Sequence, residues 1–242
     1  MMKPNGHKSL AVPRPMAVPT PPVIGLRHPT QRYEQSVPEK LRPFAYFQVV
    51  IPEQVYGWMG RHPDPRTAYA SEAMLAFVEA IVLRTLPMRG NVLVVVENVA
   101  TAWKLDGLLR LHGADSAVSL HSVLHTGLNP NPKLDRESWL AEGEKVVVVP
   151  LRSRDDDMLE HPGIGTILFA MGGQAPETFQ QRITQARNPE KHDGVIVVLD
   201  LHDEGISRTP WLRRLDDASA MMPFKANVCS FDSLQTLLSQ CN

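Results

Sequence analysis

The chain has 242 residues, of which 43% are hydrophobic and 21% charged, and its formal net charge is −1. A chain of this length forms one large domain or two small ones. Two cysteines, Cys229 and Cys241, cannot form a disulfide framework or a four-cysteine zinc site. The sequence lacks a run of eighteen apolar residues, and prolines interrupt the N-terminus where a signal peptide needs an apolar stretch. This composition excludes a disulfide-rich secreted module and a helical membrane protein, and it predicts a reduced, cytoplasmic protein.

The first 43 residues differ from the rest in proline content and charge. They contain nine of the 21 prolines and seven Lys or Arg against two acids, which leaves 18 basic and 24 acidic residues in 44–242. A proline-rich segment without periodic apolar residues cannot bury enough surface to offset its ordering entropy. We therefore predict a disordered, basic, Pro-rich arm over 1–43 and one folded domain over 44–242. The arm is either a tether or a sequence-independent attractor of phosphate.

Strand and helix patterns alternate through the predicted domain. Short apolar runs bounded by turn residues predict strands, and longer runs with apolar residues on one or most faces predict helices. One helix is expected to stop before Pro87, because proline disrupts a helix interior. The alternation predicts an α/β fold with a doubly wound, mostly parallel sheet flanked by helices. The predicted strands are 44–51, 91–96, 117–120, 145–149, 166–170 and 195–199, and the predicted helices are 68–86, 100–111, 133–142, 176–187 and 231–239.

Most familiar catalytic and nucleotide-binding motifs are missing from the sequence. Neither the phosphate loop G-x-x-x-x-G-K-[ST] nor the dinucleotide fingerprint G-x-G-x-x-G occurs. Asp200 ends an apolar strand, where a carboxylate can hold Mg²⁺, but without a phosphate loop we expect ordinary capping or solvation there. His121 and His125 bracket a strand end and are not expected to bind a metal. The chain therefore does not carry the usual means of holding a nucleotide by itself.

One helix carries a more informative pattern. Residues 180–187, Gln-Gln-Arg-Ile-Thr-Gln-Ala-Arg, resemble the sixth motif of superfamily 2 helicases, Q-x-x-G-R-x-x-R. Other segments follow the order of the second, C-terminal RecA-like lobe of those helicases, in which the arginines of this motif reach a nucleotide held by the first lobe. These segments are 92–96 with the helix start 97–103, the strand and turn 119–122, the helix 139–143 with the strand 145–149, and 158–162 with Glu160 at the acid of G-[IL]-D-x-P.

The resemblance covers about residues 66–200, and its departures imply a degenerate lobe. Ile183 and Thr184 stand where the motif has Gly-Arg, so the central arginine finger is missing. Met158 replaces a glycine, and Pro150 stands where a threonine is usual. The first lobe, with its phosphate loop and D-E-x-[DH] box, is not in this sequence. We therefore expect no enzyme activity from the chain alone, no catalytic residues, and ATP and Mg only if another subunit supplies a first lobe.

The leading hypothesis is an accessory or structural module of a nucleic-acid-processing complex, which binds nucleic-acid backbone or a protein partner. A split helicase, completed in trans by a phosphate-loop subunit, is the alternative. A small-molecule α/β enzyme with its site near Gly172 and Gly173 is a second alternative, because a helix N-terminus there could receive an anion. The resemblance implies phosphate or nucleotide contacts at Gln180, Gln181, Arg182, Arg187 and Glu160, and nucleic-acid contacts at His121, Ser122, Lys133 and Arg136.

Overall fold

A computed structural model of the chain describes residues 44–55, 65–121, 123–126, 129–130, 135–151, 163–172, 195–202 and 227–241. All of them belong to one compact unit, residues 37–242. The predicted arm over 1–43 lies outside the described residues, and its disorder and charge role stay predictions. The predicted helix over 176–187 lies outside them as well.

The described residues form a nine-stranded sheet with the strand order β5-β4-β3-β6-β2-β7-β8-β1-β9. All neighbouring pairs from β3 to β9 in that order are parallel, whereas β3–β4 and β4–β5 are antiparallel. The predicted doubly wound, mostly parallel sheet is therefore confirmed. The strands are β1 Phe44–Val50, β2 Asn91–Val96, β3 Asp115–Leu120, β4 Val123–Thr126, β5 Asn129–Pro130, β6 Lys145–Pro150, β7 Ile164–Ala170, β8 Ile196–His202 and β9 Asn227–Cys229.

Helices connect these strands within the described ranges. Four of them have N-caps, in which the side chains of Ser71, Asn98, Asp135 and Ser230 accept from the backbone N–H three residues later. Such caps satisfy the amide groups that the first helical turn leaves unpaired. The helices are α1 Pro65–Tyr69, α2 Glu72–Arg89, α3 Val99–Leu111, α4 Arg136–Ala141 and α5 Phe231–Ser239.

The central strand β2 is buried along its whole length, as its uninterrupted apolar run predicts. Val92, Val94 and Val96 pack in one cluster with side chains of α2, α3 and α5, on what we call the helical face of the sheet. Leu93 and Val95 pack in a second cluster with the apolar side chains of α4, on the opposite face. The sheet therefore has a hydrophobic core on both sides.

Helix α2 corrects one expectation about proline. The sequence predicted an end before Pro87, but the helix continues to Arg89 and the Gly90 N–H bonds to the Leu86 carbonyl at 3.0 Å. A proline removes one intrahelical hydrogen bond to the carbonyl four residues earlier. So close to the helix end, that loss is small against the apolar burial of the same helix, and Gly90 with φ of +71° provides the stop.

A bulge adjusts the pairing of β7 with β2. Asn91 pairs with Ile164 and Val92 with Thr166, so that Gly165 is the extra residue. A Cβ at Gly165 would lie 2.5 Å from the carbonyl oxygen of Arg89, closer than real Cβ contacts. Glycine is therefore required here because the end of α2 passes directly over the strand.

Candidate functional site

The carboxyl ends of the parallel strands form one edge of the sheet, which we call the carboxyl edge. Ligands of open α/β sheets bind at this edge, in the loops that follow the strands. The described residues that directly follow a parallel strand there are Ile51 after β1, Glu97 and Asn98 after β2, His121 after β3, Leu151 after β6, Met171 and Gly172 after β7, and Ser230 after β9.

Helix α3 begins at this edge. The Asn98 side chain accepts hydrogen bonds from the backbone N–H and the hydroxyl of Thr101, at 2.9 and 3.1 Å. Glu97 is buried, whereas Val99 in the first turn is 45% exposed. The N-terminus of α3, with its positive dipole end, therefore lies at the edge where the sequence resembles the opening of a helicase lobe.

A hairpin between β3 and β4 extends the same edge. Leu120 pairs with Val123, and the turn residue His121 has a backbone φ of +52°, which is uncommon for a residue other than glycine. The imidazole of His125 in β4 packs edge-on against the indole of Trp103 in α3, with ring centroids 5.9 Å apart. The hairpin therefore rests on the first turns of α3.

The predicted site residues divide between described and undescribed parts of the chain. His121 lies at the tip of the hairpin on the carboxyl edge. Arg136 is the first residue of α4. It follows the N-cap residue Asp135, whose carboxylate accepts a hydrogen bond of 3.2 Å from the Ser138 N–H. The remaining predicted site residues lie outside the described residues, so the structure does not test them. They are Gln180, Gln181, Arg182, Arg187, Glu160, Ser122 and Lys133.

The cap of α4 has an electrostatic consequence. The hydroxyl and backbone N–H of Ser138 both donate to Asp135, and they hold the pKa of that carboxyl below its usual value. Asp135 is exposed, so this hydrogen bonding contributes little to global stability. Its role is to fix the start of the short helix that carries Arg136.

Asp200 corrects the expectation of a strand end that is capped or solvated. Its carboxylate is fully buried and accepts a hydrogen bond of 2.7 Å from the hydroxyl of Tyr46 in β1. The two residues lie on the face of the sheet opposite to α2, because Tyr46 and its neighbours belong to the second hydrophobic cluster. This carboxylate is therefore part of the interior.

Gln48 is a third member of this buried polar group, and no sequence motif indicates it. Gln48 lies two residues after Tyr46 in β1, and it pairs in register with Asp200 in β8. It is 1% exposed. A glutamine inside an otherwise apolar strand, Phe44–Val50, is the one signal that the sequence offers, and only the parallel pairing brings it beside Asp200.

The cysteines are unsuited to nucleophilic chemistry. Burial raises the pKa of the Cys229 thiol to about 11, and it raises that of Cys241, although the nearby Arg89 guanidinium opposes the second shift. Among the residues that the structure describes, no group of three or more His, Cys, Asp or Glu could hold a metal ion. The same residues contain no helix long and apolar enough to cross a membrane.

Comparisons with known proteins bear on the fold. No protein-family profile matches the sequence, and a search of curated proteins gives no match. A variant of S. cerevisiae Dbp5 bound to RNA and ADP BeF3 is similar with a TM-score of 0.53 at 10% identity, over 83% of this chain and 46% of that chain. S. cerevisiae Dbp5 bound to the same ligands gives 0.50 at 12% identity, with the same coverage. The C-terminal domain of the DEAD-box protein Dbp5 gives 0.48 at 17% identity, over 81% of this chain and 98% of that chain.

At such low identity, this likeness establishes the fold. The chain has the RecA-like α/β fold found in these Dbp5 structures, which confirms the predicted fold. It spans less than half the length of the two RNA-bound Dbp5 chains named above.

Proposed function

We propose that this chain is a degenerate helicase-type RecA-like lobe, which acts as an accessory module in a nucleic-acid-processing complex and contacts the nucleic-acid backbone. The observation that carries the proposal is the fold, since the sheet is similar to Dbp5 structures with a TM-score of up to 0.53. Dbp5 in those structures is bound to RNA. The motif-like segments of the sequence follow one another in the order of that lobe, which supports the same interpretation.

The carboxyl edge is the surface that we assign to this contact. It presents the N-terminus of α3 and the hairpin with His121 at its tip. Helix N-termini and backbone N–H groups favour phosphate oxygens without reading a base sequence. Binding through this edge should therefore be independent of sequence.

The charge distribution along the chain indicates which residues attract the phosphates of a nucleic acid. Residues 44–242 carry 18 basic and 24 acidic side chains, whereas residues 1–43 carry seven basic and two acidic ones. The long-range attraction to phosphate must then come from residues 1–43 or from a local patch, for which Lys133, Arg136, Arg182 and Arg187 are the candidates.

Salt-dependent binding of labelled single strands tests the proposal. For a single strand, the logarithm of affinity falls with the logarithm of salt concentration by about 0.7 for each phosphate neutralised. We expect the intact protein to show a steep slope. Deletion of residues 1–43 should reduce the slope by the contribution of several phosphates, and Arg182→Ala or Arg187→Ala should each reduce it by the contribution of about one. Lys104→Ala, which removes an exposed cation of α3, is the matched control and should leave the slope unchanged.

Two outcomes would contradict the proposal. Absence of binding at about 50 mM salt would reject nucleic-acid contact and leave protein scaffolding as the role of the lobe. ATP hydrolysis by the purified chain, abolished by Arg187→Ala, would contradict the degenerate assignment, because the sequence contains no phosphate loop and no central arginine finger.

A further inference from the structure

A buried polar layer crosses the sheet between β1 and β8, near the carboxyl edge. It consists of Tyr46, Gln48 and Asp200, which are 0%, 1% and 0% exposed. Gln48 pairs in register with Asp200. Residues in register on neighbouring parallel strands share a face and lie about 5 Å apart at their Cα atoms, so the amide of Gln48 and the carboxylate of Asp200 are neighbours.

The two ends of this layer differ in how their hydrogen bonds are satisfied. The Tyr46 hydroxyl donates to Oδ2 of Asp200 at 2.7 Å. The Nε2 group of Gln48 is buried and has no hydrogen-bond partner in the structure. An unsatisfied buried donor costs most of its hydration free energy, so native proteins satisfy nearly all of them.

We propose that one internal water molecule occupies this layer, accepting a hydrogen bond from Nε2 of Gln48 and donating one to the carboxylate of Asp200. The two oxygens of a carboxyl group offer several acceptor positions, so Asp200 can accept from the water as well as from Tyr46. A buried water requires two to four polar partners, and these two residues supply a donor and an acceptor side by side.

The chemistry of the pair disfavours other small occupants. The carboxyl oxygens of Asp200 repel an anion that Nε2 of Gln48 would otherwise attract. The amide N–H group repels a cation that the carboxylate would attract, and no cluster of three metal-ligating side chains occurs among the described residues. A neutral molecule that both accepts and donates fits the layer, and water is the smallest.

The variant Gln48→Met distinguishes a hydrated layer from a dry one by the sign of its effect. If no water is bound to Nε2, methionine removes an unsatisfied donor at nearly constant volume, and the thermal midpoint of unfolding should rise. If the water is present, methionine removes one of its partners and leaves Asp200 facing an apolar group, so the midpoint should fall by roughly 2–8 °C.

Thr166→Val is the matched control. The Thr166 hydroxyl is fully buried on the helical face and also has no hydrogen-bond partner in the structure, but no described carboxylate pairs with it in register. The isosteric change should leave the thermal midpoint unchanged or raise it. The control therefore shows how the midpoint responds when a buried polar group of the same sheet that binds no water is replaced by an apolar one.

A direct observation completes the test without any variant. In a crystal structure of the full chain, we expect a water peak within about 3.2 Å of both Nε2 of Gln48 and a carboxylate oxygen of Asp200. The proposal is overturned if Nε2 instead donates to a protein acceptor, if the space is empty, or if Gln48→Met raises the midpoint.

Discussion

The hydroxyl of Tyr46 donates a 2.7 Å hydrogen bond to the carboxylate of Asp200, although 154 residues separate the two in sequence. Both side chains are fully buried. The bond joins β1, the first described strand, to β8 on the face opposite to α2, and it places a carboxylate in the interior with a neutral donor. A buried polar group of this kind depends strongly on each hydrogen bond that it receives.

Tyr46→Phe should therefore destabilise the fold. It removes the donor without changing the volume, and we expect the free energy of unfolding to fall by about 1–3 kcal/mol. Chemical denaturation of this variant, of Asp200→Asn and of the double variant gives the coupling between the two residues. A coupling energy near zero would contradict a direct bond between them.

Two glycines should respond to alanine in opposite directions. Gly165→Ala would place a Cβ 2.5 Å from the backbone carbonyl of Arg89, so we expect a loss of about 1–3 kcal/mol in unfolding free energy. Gly107→Ala in helix α3 meets nothing within 4 Å and should stabilise the protein by about 0.5–1 kcal/mol. Equal thermal midpoints for the two variants would show that the close approach of α2 to β7 is wrong.

The C-terminal helix α5 should loosen when Arg84 is changed. The Arg84 guanidinium donates to the carbonyl of Phe231 at 2.7 Å and lies over its ring, 3.9 Å from the centroid. Arg84→Met keeps the length of the side chain but removes both interactions, at a cost of about 2 kcal/mol. Hydrogen exchange of the α5 amides should then accelerate more than that of α3, whereas Gln235→Ala on the exposed side of α5 should leave the ratio unchanged. Uniform acceleration in both helices would instead indicate global destabilisation.

The thiol of Cys229 should react slowly in the folded protein. Its pKa of about 11 against an ordinary value of 9.0 lowers the thiolate fraction at pH 8 by about a hundredfold. Alkylation followed by mass spectrometry should show this delay for native protein and its loss in denaturant. Comparable native and denatured rates at pH 8 would contradict the burial of this side chain.

The same raised pKa predicts the direction of a pH effect on stability. Because folding favours the neutral thiol, the contribution of Cys229 is fully present below pH 9 and is lost as the pH rises towards 11. Cys229→Ser has a hydroxyl that does not titrate in this range, so the stability difference between wild type and this variant should shrink between pH 9 and 11. A difference that stays constant would contradict the shift.

The local sequence is sufficient to predict the class of the fold, because continuous apolar runs of strand length such as 91–96 and 145–149 are typical of strands covered on both faces. It also determined the end points of α5, where an N-cap serine at 230 precedes an amphipathic run. These are local properties, since they depend on residues within a few positions of one another.

Features that depend on distant neighbours become visible only in the tertiary structure. The hairpin over β3 and β4 was missed because His121, and not a glycine or asparagine, takes the positive φ of its turn. The continuation of α2 through Pro87 was missed because the packing of the whole helix outweighs one lost hydrogen bond. The interior position of Asp200 was missed because only the parallel pairing of β1 with β8 brings Tyr46 and Gln48 beside it. A carboxylate at a strand end has the same local sequence whether it faces water or a tyrosine from a strand 154 residues away, and only the assembled sheet distinguishes the two.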